Sequence, residues 1–156
     1  MVYVINMQGE PLMPCKEAKA RKLLKNNLAT VFKREPFTIK LLFECENKVQ
    51  DITLGIDAGS KFIGISATTS STELFSAELE LRNDIVDLLS TRRQNRRTRR
   101  SRLRYRKPRF LNRVKSKNKG WLAPSIENKI QTHISIVTKV HQILPISKIV
   151  VETASF

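Results

Sequence analysis

The spacing of hydrophobic and polar positions changes character several times along the chain. Over residues 1–43 it is mixed. Val2–Asn6 has the apolar content of a short strand. Gly9-Glu10-Pro11-Leu12-Met13-Pro14 reads as a turn, because two prolines three apart forbid helix between them. Lys16–Lys25 is rich in strong helix formers, with Ala20, Leu23, Leu24 and Asn27 on one face and Asn26-Asn27 as a stop. Two strands follow, Ala29–Lys33 and Thr38–Phe43, with Pro36 between them. This part reads as a small α/β unit.

Residues 49–82 have a period of two. In Asp51–Asp57, residues Ile52, Leu54 and Ile56 take one face and Thr53, Gly55 and Asp57 the other. Ala58-Gly59-Ser60-Lys61 turns the chain into Phe62–Thr68, and Thr72–Leu81 is a third strand. The short connections predict antiparallel hairpins. From Asn83 the period is helical, and Ile85, Val86, Leu88 and Leu89 are expected to dock on the sheet. Thr91–Arg102 then holds no apolar residue, so this helix has no stripe to bury. Pro108 ends or bends it, and residues 110–124 read as irregular around a turn at Asn118-Lys119-Gly120. Ser125 is the expected N-cap of the next helix, with Glu127 in its first turn. Ile126, Ile130, Ile134, Val137 and Val140 form its stripe, and Pro145 stops it. Ile149-Val150-Val151 reads as a buried strand that delivers Glu152. The segments are 1–48, 49–82, 83–119 and 120–156, and the fold class is α/β.

Charge changes this picture more than composition does. The chain has 29 basic and 14 acidic side chains, a net charge of +15. Arg92 to Lys119 holds 15 of the basic residues and no acidic one, so the remainder is neutral. That excludes a uniformly basic coat and marks one polycationic segment that repels itself without an anion. Arg92, Arg93, Arg96, Arg97, Arg99, Arg100, Arg102, Arg104 and Arg106 come without a lysine among them. Guanidinium favours bidentate phosphate contact, and Lys107, Arg109 and Arg113 continue the basic run. Arg93, Arg97, Arg100 and Arg104 align on one helix face, with Arg92, Arg96 and Arg99 on an adjacent one. Tyr105, Phe110 and Trp121 are candidate stacking surfaces for bases, and Phe110 and Trp121 read equally as local packing against the sheet.

Two carboxylates stand at strand ends. Asp57 closes one hydrophobic strand before a Gly-containing turn, and Glu152 ends another. On adjacent strands they would make half of an oxygen-ligand site for Mg²⁺. Such sites hydrolyse phosphodiesters with two metals about 3.5–4 Å apart. The plainer reading is two solvent-facing carboxylates. His133 and His141 have no ligand-spaced neighbours and read as ordinary helix residues. Cys15 and Cys45 lack metal-type spacing and read as reduced thiols of a cytoplasmic protein. No apolar run reaches the roughly 20 residues of a membrane span, and the N-terminus has no basic, apolar leader.

Several strings together resemble one family. Pro11-Leu12-Met13-Pro14 with the helix after it resembles the PLMP domain that opens IscB proteins. Gly55-Ile56-Asp57-Ala58-Gly59-Ser60-Lys61 through Gly64-Ile65 is similar to their first RuvC motif. Arg96-Arg97-Thr98-Arg99-Arg100 fits the RRXRR pattern, Tyr105–Arg113 and Gly120–Ser125 its continuation, and Val150-Val151-Glu152 the second RuvC motif. IscB proteins are transposon-encoded RNA-guided DNA endonucleases. The resemblance implies a PLMP domain over 1–48 and an incomplete RuvC (RNase H-like) mixed sheet. It also implies an arginine-rich bridge helix on a structured guide RNA, and Asp57 and Glu152 as catalytic ligands of Mg²⁺. The family continues with an HNH domain, a third RuvC motif and a C-terminal module. The expectation is therefore the N-terminal part of such a protein, inactive alone and completed by a C-terminal nuclease fragment, with DNA as target in the full context. Two other classes remain: a stand-alone basic RNA-binding protein, and an actin-like phosphotransferase, whose first phosphate loop Gly55–Gly59 also resembles.

Overall fold

A computed structural model describes residues 1–102 and 119–153. Two mixed four-stranded sheets and three helices make up an α/β fold among these residues. The first sheet contains β1 (Val2–Ile5), β2 (Pro11–Cys15), β3 (Ala29–Lys33) and β4 (Thr38–Leu41) in the order β2-β1-β4-β3. Helix α1 (Glu17–Lys25) covers it through Ala20, Leu23 and Leu24, over Val2, Val4, Leu12, Ile39 and Leu41. Asn27, at φ 54°, ends the helical run as the paired asparagines predict.

The segment 11–15 corrects the sequence reading. It is a strand rather than a turn, and the turn lies earlier, where Asn6 Oδ1 accepts the Glu10 amide at 2.8 Å and Gly9 takes φ +94°. Pro11 and Pro14 forbid helix but not an edge strand, because a proline there gives up no hydrogen bond that the sheet needs. β2 is such an edge, and the β1–β2 register shifts between Val2 and Val4.

The second sheet has the order β7-β6-β5-β8, from β5 (Thr53–Asp57), β6 (Phe62–Thr68), β7 (Glu73–Glu80) and β8 (Lys148–Glu152). β5, β6 and β7 form the expected antiparallel meander. Alternation places Ile52, Leu54, Ile56, Ile63, Ile65 and Ala67 in the core. The chain then passes through α2 (Ile85–Ser101) and α3 (Pro124–His141) and returns as β8, parallel to β5. The sheets meet where Tyr3 packs on Phe75, ring centroids 6.5 Å apart, and Tyr3 and Met13 add to the second core.

Four expectations for this half are corrected. α2 does not dock on the sheet: it has no buried residue, and Val86 is 75 % exposed. α3 begins with Pro124 at N1 and Ala123 as N-cap, so Ser125 is already inside the helix; proline's fixed φ suits the first helical position. Its docked face is Ile136, Val137 and Val140, continued by Ile143 and Leu144, while Ile126, Ile130 and Ile134 stay largely exposed. The spacing marks an apolar stripe, but the contact line lies to one side of it. Finally, among the described residues β8 is an edge strand, with Ile149, Val150 and Val151 exposed by 44, 45 and 48 %. An apolar run predicts burial only when something lies on its far side.

Candidate metal centre and nucleic-acid interface

Asp57 and Glu152 are the last residues of β5 and β8, and the parallel ladder makes them direct partners. Neighbouring strands run about 4.8 Å apart with level side chains on the same face. The two carboxylates therefore stand side by side, on the face opposite the buried Leu54 and Ile56. On the other flank Asp57 is level with Gly64 of β6, where an added Cβ would lie 3.5 Å from Asp57 Cβ and 3.9 Å from Oδ2. Beyond Gly64, on the same row, comes Glu78 of β7. The row across the sheet thus reads Glu78, Gly64, Asp57, Glu152. Glu78 has no motif around it in the sequence, and only the β6–β7 register brings it here.

The register has an identifiable cause. Just before β8, Ser147 Oγ accepts the Ile52 amide and donates to the Ile52 carbonyl, each at 3.0 Å. The Ser147 and Lys148 amides also donate to that carbonyl, at 3.0 and 3.2 Å. These bonds fix where β8 starts against β5, and five residues later Glu152 meets Asp57.

Both carboxylates are exposed, and no ion pair involves either among the described residues. Oxygen donors on one face, open to water and without a competing cation, fit a hard divalent ion. The set is partial: among the described residues no three His, Cys, Asp or Glu side chains gather as metal ligands.

On the chain between the two carboxylate strands, α2 carries Arg92, Arg93, Arg96, Arg97, Arg99 and Arg100, with Arg102 at its C-cap, all exposed. One open groove runs along Arg92, Arg93, Arg96, Arg97 and Arg100, and a second along Arg92, Arg96 and Arg99. No ion pair involves any of these seven arginines among the described residues. Like charges at i,i+4, such as Arg92/Arg96, Arg93/Arg97 and Arg96/Arg100, each destabilise a helix by roughly 0.2–0.5 kcal/mol, which an anion would relieve. Arginine's intrinsic helix preference opposes that cost. At the helix start Arg82 Nε donates to Asp84 Oδ1 at 2.6 Å, and this bond holds the Asp84 carboxyl below its ordinary range. Arg104, Arg106, Lys107, Arg109 and Arg113, with Tyr105 and Phe110, lie outside the described residues. Trp121 is 47 % exposed. His133 differs from the ordinary helix residue expected: Nδ1 bonds the Lys129 carbonyl at 2.8 Å, and Nε2 is buried without a partner among the described residues.

Fold and site define a class: an α/β protein with two strand-end carboxylates side by side and an exposed arginine helix on the connection between their strands. The chain belongs to the RRXRR protein family, whose model matches residues 2–156. No curated protein matches it.

Proposed function

We propose that this chain is the RNA-gripping, carboxylate-bearing part of an IscB-like RNA-guided DNA endonuclease. The observation that carries the reading is the level pairing of Asp57 with Glu152 on parallel strands whose long connection includes the arginine helix. A basic protein that only held RNA would have no need of that pairing. Membership of the RRXRR family supports a setting among RNA-guided nucleases. An antiparallel meander followed by a helical return to a strand parallel with the first supports an RNase H-like reading of the second sheet.

In this reading α2 presents guanidinium groups in more than one direction and takes phosphates of a structured guide on both grooves. Asp57 and Glu152 would hold Mg²⁺ through their carboxylate oxygens, with Gly64 leaving the flank of Asp57 free of a side chain. Bound Mg²⁺ would supply a polarised water and charge stabilisation for phosphodiester hydrolysis. Two carboxylates are a partial ligand set that water and substrate phosphate would extend, and in this reading a complementing C-terminal nuclease fragment supplies further side chains. The isolated chain binds RNA and does not cut DNA.

Two measurements test this. RNA affinity at matched salt is expected to favour one structured guide over arbitrary RNA of equal length; equal affinities would leave a plain basic RNA-binding protein. Incubation with plasmid and Mg²⁺ is expected to leave the DNA intact, and robust cutting abolished by Asp57→Ala would overturn the need for a complement.

A further inference from the structure

The turn that follows Asp57 is tight and tied down. A Cβ on Gly59 would run into the carbonyl oxygen of Phe62, so the turn closes on itself with no room for a side chain there. At its far end the Leu81 amide donates to the Lys61 carbonyl at 2.7 Å. Its tip is held from another element altogether: Lys129 Nζ of α3 donates to the Ser60 carbonyl at 2.8 Å. Lys129 is half-buried, and no ion pair involves it among the described residues. It lies on the same helical face as His133, Val137 and Val140, four, eight and eleven residues on. That is the side of α3 that packs toward the core, through Val137 and Val140.

Holding a lysine side chain against a backbone carbonyl costs rotamer entropy of up to about 2 kcal/mol. An extended lysine would keep that freedom and its hydration. α3 leads into β8, which carries Glu152, so this bond reaches from the element that delivers one carboxylate to the turn that follows the other.

We infer that Lys129 is a positioning residue, a strap from α3 that fixes the turn after Asp57 and thereby aims the Asp57 carboxylate alongside Glu152. The ladder on both sides of Asp57 holds its backbone, while its side chain borders a turn whose tip has this bond as its tie to α3. The metal arm of the inference rests on the proposed role of Asp57 and Glu152.

The test uses the full chain, ¹⁵N-labelled, as wild type, Lys129→Met, Lys129→Arg and Asp57→Ala. Methionine keeps the stem and removes the donor, whereas arginine keeps a donor. Three quantities are read: amide exchange at residues 58–61, Mn²⁺-induced line broadening at 55–58 and 150–152, and the thermal midpoint. A hydrogen bond from a charged donor, partly offset by water, predicts that Lys129→Met weakens Mn²⁺ about three- to tenfold and speeds exchange at 58–61 by a similar factor. The midpoint is expected to stay within a few degrees, and Lys129→Arg to restore both readings. Unchanged exchange in Lys129→Met overturns the inference. So does faster exchange with unchanged Mn²⁺ affinity, since the bond would then be structural only, and so does failure of Lys129→Arg to rescue. If wild type shows no Mn²⁺ broadening that Asp57→Ala removes, the metal reading of the pair fails. The strap is then decided by exchange at 58–61 and its rescue by arginine.

Discussion

Ser147 Oγ both donates to and accepts from the backbone of Ile52, at the point where β8 meets β5. Ser147→Ala removes both bonds and leaves the Ile52 amide without that acceptor. The expected loss is about 1–2 kcal/mol, or roughly 2–8 °C in melting temperature for a chain of this size. It is read by thermal unfolding, together with loss of backbone cross-peaks between residues 57 and 152. A second residue-level prediction concerns Cys15, which lines a cavity with Leu12, Leu23 and Cys45. Burial is the main cause that pushes its thiol up from the ordinary value. A raised thiol contributes stability that is present below the unfolded value and lost as pH rises through the folded one. Near pH 8 Cys15 is therefore expected to alkylate more slowly than a cysteine in an unfolded peptide, as followed by mass spectrometry. Neither role is legible from spacing: a serine before a strand and a cysteine after a proline carry no signature until their partners are known.

At the scale of elements, the meander β5–β6–β7 was the readable part, because strict alternation such as Ile52, Leu54, Ile56 against Thr53, Gly55, Asp57 matches a sheet with one buried face. The same logic misplaced β8, whose Ile149-Val150-Val151 run sits at an edge of the sheet among the described residues. It misplaced β2 as well, since proline excludes helix without excluding an edge strand. In α3 the isoleucines at 126, 130 and 134 have the right period and the wrong azimuth. That Asp57 and Glu152 both end strands was visible in the sequence; that they are level was not, because register depends on bonds such as those of Ser147. For α2, substituting Arg96 and Arg100 by glutamine removes two guanidinium groups from one groove and one of them, Arg96, from the other as well. The slope of log K against log salt for duplex RNA is expected to be about −7 if roughly eight arginines engage, and shallower by about two units in the double variant. Equilibrium titrations from low to moderate salt check both numbers, and an unchanged slope would remove this face of α2 from the interface.

For the whole molecule, the neutral body and the polycationic segment have different tasks. The sheet sets Asp57 beside Glu152, while the arginines of α2 repel one another along an exposed helix. No helix among the described residues is long and apolar enough to cross a membrane. The largest liability of the body is the β8 edge, a strand with no partner on one side among the described residues and with apolar residues exposed. Val150→Lys places a charge on that edge, on the same face as Lys148 and Glu152. Sedimentation velocity is expected to show less concentration-dependent association than wild type, with the circular dichroism spectrum unchanged.

The β5–β8 ladder has a kinetic consequence as well. It joins residues whose intervening chain, 58 to 147, contains the other two strands of the sheet, both long helices and the whole arginine segment. Contacts that close so long a loop are slow to form, since loop-closure entropy is lost before any pairing is gained. Hairpins β5–β6 and β6–β7 can fold early; the carboxylate pair is completed late. A polyanion that compacts the arginine segment shortens the loop still to be closed. If the proposed RNA binding holds, refolding with RNA present is expected to accelerate the step that unites Asp57 with Glu152, as followed by stopped-flow fluorescence of Trp121.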